Sequence, residues 1–350
     1  MFTMKLMIVL IILAAMLGNS IYASANSLPT ILPSHLKPGD TVALISSGFR
    51  VPEDESIQFA AERVQALGLK VKYGKFVFGH SGYFSATDQE RAEDLNAMFA
   101  DPEVKAIFEL RGGWGSNRIL SYLDYDLIKK HPKILMGFSD ITSLLLAIQA
   151  KTGLVTFHGP VSVQSWPAFT VNYLQRVLFA GEKVVFANPV LVDTQVDIIQ
   201  VENRIHVITG GIAQGKLVGG NLTTIISMLS SEYLPNWQGA ILFVEDVDED
   251  YYKMDRMFAQ LEMTGVLKQL SGFVFGQCVR CSAANSTSGI IGSATLGEIL
   301  NHYIKPLKIP AWYGAMIGHS ANVFTLPEGV QVQINADQGT IALLESPVKV

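Results

Sequence analysis

Cysteine is nearly missing from this chain: Cys278 and Cys281 are the only two in 350 residues. A fold stapled by several disulfides is therefore excluded, and so is a four-thiolate zinc site. The pair is spaced Cys-x-x-Cys. It ends an apolar, strand-like run from Phe273 to Val279, whereas a thioredoxin-like redox pair opens a helix. We read it as an incidental or structural pair, which an exported chain could close into a local disulfide. Charge is sparse as well. Only 16% of residues are charged, the net charge is −5 and the basic residues form no run, so nothing points to a nucleic-acid partner. Long apolar runs are confined to the N-terminus. Further along, charge, Gly or Pro breaks each one, and no membrane span is expected there. Even the acidic run Glu245, Asp246, Asp248, Glu249, Asp250 lacks the central Gly and twelve-residue frame of a calcium loop. No metal and no cofactor are expected.

What remains is an apolar chain (49% hydrophobic) long enough for two domains with large cores. Lys5 precedes an unbroken apolar run from Leu6 to Leu17, and Ala23-Ser24-Ala25 supplies a small-x-small site. That pattern predicts a secretory leader over 1–25, cut after Ala25, and a periplasmic or secreted mature protein. The alternative is an uncleaved anchor. Thereafter apolar strands alternate with amphipathic helices. Thr41 to Ser47, Leu69 to Tyr73, Val104 to Leu110 and Ile134 to Gly137 read as strands. Glu53 to Leu67 is a helix stopped by Gly68, and Thr87 with Glu90 forms a capping box for another. The expected fold is α/β: an N-terminal parallel-sheet domain over 34–165 with helices on both faces, a crossing at 166–210, and a mixed, β-rich α/β domain over 211–346. In the second domain, strands are expected at 240–244, 273–279, 311–317, 330–334 and 340–344, with helices at 221–229 and 254–267.

Two strand ends stand out, because ligands of such sheets bind beyond the carboxyl ends of the strands. Lys133 to Gly137 runs through Phe138 into Ser139-Asp140-Ile141-Thr142, where a helical pattern begins. Only a sharp turn fits between strand and helix. A serine there holds its hydroxyl out of the sheet, near amides that stabilise a negative oxygen. A serine that merely caps the helix is the plainer alternative. The other end is Arg111-Gly112-Gly113-Trp114-Gly115-Ser116-Asn117-Arg118, whose glycines let the backbone approach a ligand closely. It lacks the lysine of a phosphate loop. A glycine amide from it and the Asp140 amide could converge on one oxygen beside Ser139. Ser116 is a rival nucleophile without a strand directly before it.

A serine nucleophile needs a base, usually histidine, oriented by a carboxylate. His158 and His319 both follow apolar runs and precede turn residues, and either could be structural. Glu245 leads the carboxylates because it ends the apolar run Ala240 to Val244.

Several ordered motifs then resemble the LD-carboxypeptidase family: the Arg111–Arg118 loop, Gly137-Phe138-Ser139-Asp140, Phe157-His158-Gly159-Pro160, Gly219-Gly220-Asn221, Glu245-Asp246 with Tyr252 and Asp255-Arg256, and Gly318-His319. The resemblance runs from about Leu36 to Ile341. It implies a metal-free serine peptidase with a Ser-Glu-His triad at an interface between two domains, commonly a homodimer. By position the nucleophile falls on Ser139, the carboxylate on Glu245, the histidine on His319, and the oxyanion donors on Gly113 and Asp140. It implies release of terminal D-Ala from a murein stem peptide. Arg111 and Arg118 are the candidates to bind the substrate carboxylate. A peptide-nucleotide antibiotic amide is the alternative substrate, and a non-catalytic exported peptide-binding protein the alternative class. The leader departs from the many cytoplasmic members of the family, and the cysteine pair is not one of its hallmarks.

Overall fold

Short apolar runs, buried at the centre and partly exposed at the β2 edge, give the first sheet its strands, and the helices between them return the chain to the same end of the sheet so that the strands run parallel. The computed structural model describes residues 28–190, 199–200, 203–282 and 294–350; the leader expected over 1–25 lies outside the described residues. Strands β1 (Thr41–Ile45), β2 (Lys70–Tyr73), β3 (Val104–Glu109), β4 (Ile134–Gly137) and β5 (Thr156–His158) pair in parallel in the order β5-β4-β3-β1-β2. Helices α1 (Asp54–Ala66), α2 (Asp88–Ala100), α3 (Tyr125–Lys130) and α4 (Thr142–Thr152) connect them. In α1 the buried positions Ile57, Ala60, Ala61 and Val64 recur at helical spacing, which is why this segment packs one face on the sheet. The Thr87 hydroxyl accepts from the Glu90 amide, and the Glu90 carboxylate accepts from the Thr87 amide, so α2 starts on a reciprocal cap.

The second sheet collects all but one of the remaining strands. After α5 (Ala168–Leu178) come β6 (Val185–Ala187), β7 (His206–Thr209), β8 (Ile212–Asn221), α6 (Leu222–Ser227), β9 (Ile241–Val247), α7 (Tyr251–Met263) and β10 (Gly272–Val279). Then follow α8 (Leu296–Tyr303), β11 (Ala311–Tyr313), β12 (Leu326–Glu328), β13 (Gln331–Asn335) and β14 (Thr340–Leu343). The order is β6-β14-β13-β8-β9-β10-β11-β7, parallel at its centre and antiparallel toward both edges. The two-domain α/β architecture is therefore as expected.

Several details differ from the expectation. The stretch 166–210 is not a plain crossing: it holds α5, whose Tyr173, Leu174, Val177 and Leu178 are buried, and it gives β6 and β7 to opposite edges of the second sheet. The expected strand 311–317 ends at Tyr313, where Gly314 turns the chain. The helix at 254–267 begins earlier, at Tyr251, and stops at Met263 just before Gly265 takes φ 75°. Strand β12, inside the expected C-terminal domain, pairs antiparallel with β5 and forms the edge of the first sheet. One apolar core runs through both sheets: Met136 and Phe157 of the first share it with Leu217, Phe243 and Ile334 of the second. Cys278 and Cys281 are joined as a disulfide at the end of β10, where Cys278 pairs with Asp246 of β9.

Candidate active site

The β4 strand delivers Ser139 into a turn with nothing to spare. Ser139 takes φ 64°, a left-handed conformation that non-glycine residues seldom adopt. A Cβ on Gly112 would lie 2.8 Å from the Ser139 Cβ, so only glycine lets the neighbouring loop come this close. Neither the Gly113 amide nor the Asp140 amide donates a backbone hydrogen bond among the described residues. Both flank the serine.

The second sheet supplies the rest. Glu245 lies near the end of β9, within the stretch Ile241 to Asp246 that is buried throughout, and has no exposed surface. His319 follows Gly318 in the loop between β11 and β12. Its Nδ1 lies 2.8 Å from Glu245 Oε2, and its Nε2 lies 3.2 Å from Ser139 Oγ. With the proton on Nδ1, the ring donates to Glu245 and Nε2 accepts from the serine hydroxyl. Phe138 packs against the imidazole at 4.8 Å between ring centres. Gly318 sits at φ 93°, and a Cβ there would fall 2.0 Å from Glu245 Oε2. Ser139, His319 and Glu245 thus form one continuous hydrogen-bonded series across the two domains.

A supporting layer holds the carboxylate. Asn221 Nδ2 donates to Glu245 Oε1 at 3.3 Å and to Asp246 Oδ1 at 3.1 Å, while the Asn221 amide donates to Thr142 Oγ1 of α4 at 2.9 Å. Asp246 accepts from the Thr223 amide and hydroxyl at 3.0 and 2.9 Å. Burial, then the charge of Glu245 beside it, pushes the Asp246 pKa up to about 6. Asn221 was visible in the sequence only as part of Gly219-Gly220-Asn221. Nothing in that triplet marks its side chain as the partner of Glu245.

The other candidates separate cleanly. Ser116 is buried; its hydroxyl donates to the Asp140 carbonyl at 2.6 Å and lies 2.6 Å from Ser143 Oγ, while its amide donates to Asp140 Oδ2 at 2.9 Å. It braces the turn that carries Ser139. His158 is buried between Phe138 and Phe243, with neither ring nitrogen hydrogen-bonded, and burial pushes its pKa down to about 4. It stays neutral and reaches no serine. Arg111 lines a cleft of about 650 Å³ together with Gly112, Gly113, Ser139 and His319. Arg118 does not line that cleft; its guanidinium grips Asp88 at 2.9 and 2.7 Å.

A strained serine on a strand-to-helix turn, read by a histidine that a buried carboxylate orients, defines a serine-type hydrolase. Residues 42–159 match the LD-carboxypeptidase N-terminal domain, and residues 214–334 match the LD-carboxypeptidase C-terminal domain. The chain belongs to the LD-carboxypeptidase family and is a serine-type peptidase. It is 36% identical over 319 residues to the "Probable murein peptide carboxypeptidase" of Bacillus subtilis, covering 90% of this chain and 95% of that one. The solved apo structure of the microcin C7 self-immunity protein MccF superposes with a TM-score of 0.81 at 28% identity, covering 91% of this chain and 100% of that one. The muramoyltetrapeptide carboxypeptidase from Oxalobacter formigenes gives 0.72 at 29% identity, covering 87% and 97%.

Proposed function

We propose that this peptidase hydrolyses an L,D peptide bond and releases terminal D-Ala from a murein tetrapeptide. The observation that carries the reading is the relay Ser139–His319–Glu245, built on a serine held at φ 64°. His319 Nε2 takes the Ser139 proton as Oγ attacks the carbonyl. Glu245 keeps the imidazole in the productive tautomer and stabilises the cation it becomes. The Gly113 and Asp140 amides bind the tetrahedral oxyanion, a contribution of roughly 3–4 kcal/mol per donor at comparable sites. His319 then returns its proton to the departing D-Ala nitrogen. Water, deprotonated by the same ring, resolves the acyl-enzyme. Arg111 is the group in the cleft suited to the terminal carboxylate, since a guanidinium pairs with it in bidentate fashion.

Relatives named for murein peptides favour this substrate, and the MccF likeness favours the second reading, an amide in a peptide-nucleotide conjugate. D-Ala release from a tetrapeptide, measured beside cleavage of an aminoacyl-sulfamoyl nucleoside, separates the two. Ser139→Ala should abolish turnover and fluorophosphonate labelling with the fold intact. A chain that never labels at Ser139 would instead be a binding protein. The leader over 1–25 supports export with cleavage after Ala25. N-terminal sequencing of protein from its own host should begin at Asn26, and retention of Met1 in a membrane fraction would replace export with anchoring. Family resemblance supports a homodimer, which light scattering checks.

A further inference from the structure

Glu109, at the end of β3, has no exposed surface and no part in the relay. Its Oε2 accepts from the Ser47 amide at 3.0 Å, and its carbonyl accepts from the Ser162 amide at 2.9 Å. Its Oε1 is buried without a hydrogen-bond partner. It lies against β4, since a Cβ on Gly137 would be 3.1 Å from the Glu109 Cβ.

Ser47 belongs to the loop 46–49. Arg91 Nη1 donates to the Ser47 carbonyl, and the Ser46 hydroxyl donates to the Phe49 carbonyl at 3.0 Å. From the same loop, the Phe49 amide donates to the Gly112 carbonyl at 3.0 Å. The Gly112 carbonyl and the Gly113 N–H belong to one planar trans peptide unit, in which they point to opposite sides. Whatever fixes that carbonyl therefore fixes the direction of that N–H.

We infer that Glu109 is a positioning residue that aims the Gly113 amide at the oxyanion through the chain Glu109–Ser47–Phe49–Gly112. The inference rests on the reading of Gly113 as an oxyanion donor. The charged groups facing Glu109 are Asp140, from the turn after β4, and Arg91, from α2. Burial, and secondarily the Asp140 charge, hold the Glu109 pKa up at about 8 against the opposing hydrogen bond from the Ser47 amide. The Arg91 guanidinium is itself ion-paired with Asp88 at 2.7 Å, so it acts on both buried acids only as a neighbouring charge. Ionising Glu109 adds a second buried anion beside Asp140, and relief requires the 46–49 loop to move.

The test compares the full-length parent with Glu109→Ala and Glu109→Gln between pH 6 and 9.5. Glu109→Ala should lower kcat for D-Ala release about 100-fold, the size of losing one oxyanion donor, with KM within about threefold. Glu109→Gln, neutral at every pH and of the same shape, should recover most of that loss. The parent should lose activity above about pH 8, and the glutamine variant should not share this limb. Amide-exchange protection in segments 46–49 and 112–115 should fall above the same pH in the parent alone. A folded Glu109→Ala enzyme with the parental kcat, or a Glu109→Gln enzyme with an unchanged alkaline limb, would overturn the inference. Should the chain release no D-Ala from any tetrapeptide, the exchange data still decide: equal pH dependence of protection in parent and glutamine variant sinks the positioning role, whereas a difference sustains it and leaves only the substrate reading at fault.

Discussion

Ser116 and Ser139 carry the same hydroxyl, and their surroundings part them. Ser139 Oγ faces His319 and the cleft, whereas Ser116 Oγ is spent on the Asp140 carbonyl and Ser143. Ser116→Ala should therefore cost about 1–3 kcal/mol of stability through the partners it leaves unsatisfied. It should keep turnover within about tenfold of the parent, as a D-Ala release assay and a urea titration would show. His158 makes a pH prediction. Its folded pKa of about 4 lies below the ordinary histidine value, so the unfolded chain binds the extra proton. The stability it permits is fully present above about pH 6.5 and is lost as pH falls toward 4, on the order of 3 kcal/mol in all. His158→Phe should flatten the fall in Tm between pH 7 and 4.5 and leave the folded enzyme active. A parental slope in that variant would refute the assignment. Local pattern left His158 and His319 as equals, because each follows an apolar run, and only the family resemblance pointed to His319. What separates them is distance from Glu245 and Ser139, which only the fold sets. Glu109 was illegible for a related reason: like Glu245 it stands at the end of an apolar run, but nothing local shows that the loop 46–49 closes over it.

At the scale of elements, the loops after the strands carry the chemistry, and their tolerances are narrow. Gly318 must take φ 93° while the Glu245 carboxylate fills the place its side chain would occupy. Gly318→Ala should push Glu245 or His319 off line and lower kcat by about 100-fold or more, because displacements near 1 Å cost that much in a positioned site. Steady-state kinetics with circular dichroism as the folding control would test it. Strands and helices with strong periodicity were legible: α1 and α2 lie where the spacing of Ile57, Ala60, Ala61 and Val64 and the Thr87–Glu90 cap put them. Segments with weak local signals were not. The amphipathic α5 hides behind Pro167, and the extended-looking residues Ala315 to Ile317 follow Gly314 out of the sheet. Strand β12 is three residues long and contains Pro327. Its pairing with β5 leaves no local signature, since the partner lies far earlier in the chain.

On the scale of the whole molecule, the two domains are not separable lengths of chain. The first sheet takes its edge from β12, the apolar core is continuous through both sheets, and Ser34 bridges to Lys349. Fragments 34–165 and 211–346, made apart, should each lack turnover, and the first should be markedly less stable than it is within the intact chain. Mixing them should restore D-Ala release only where β12 re-docks, which size-exclusion chromatography would reveal as a complex. An active 34–165 fragment would contradict the relay. The place of β12 in the chain also sets a timetable. A ribosome makes the Ser139 turn early, yet the strand that completes its sheet and the histidine that hydrogen-bonds to it both emerge near the end of synthesis. On the mechanism proposed above, the nascent polypeptide holds its serine without a base for most of its making, so the hydrolase is born silent and acquires its reactivity in the same late step that finishes its fold.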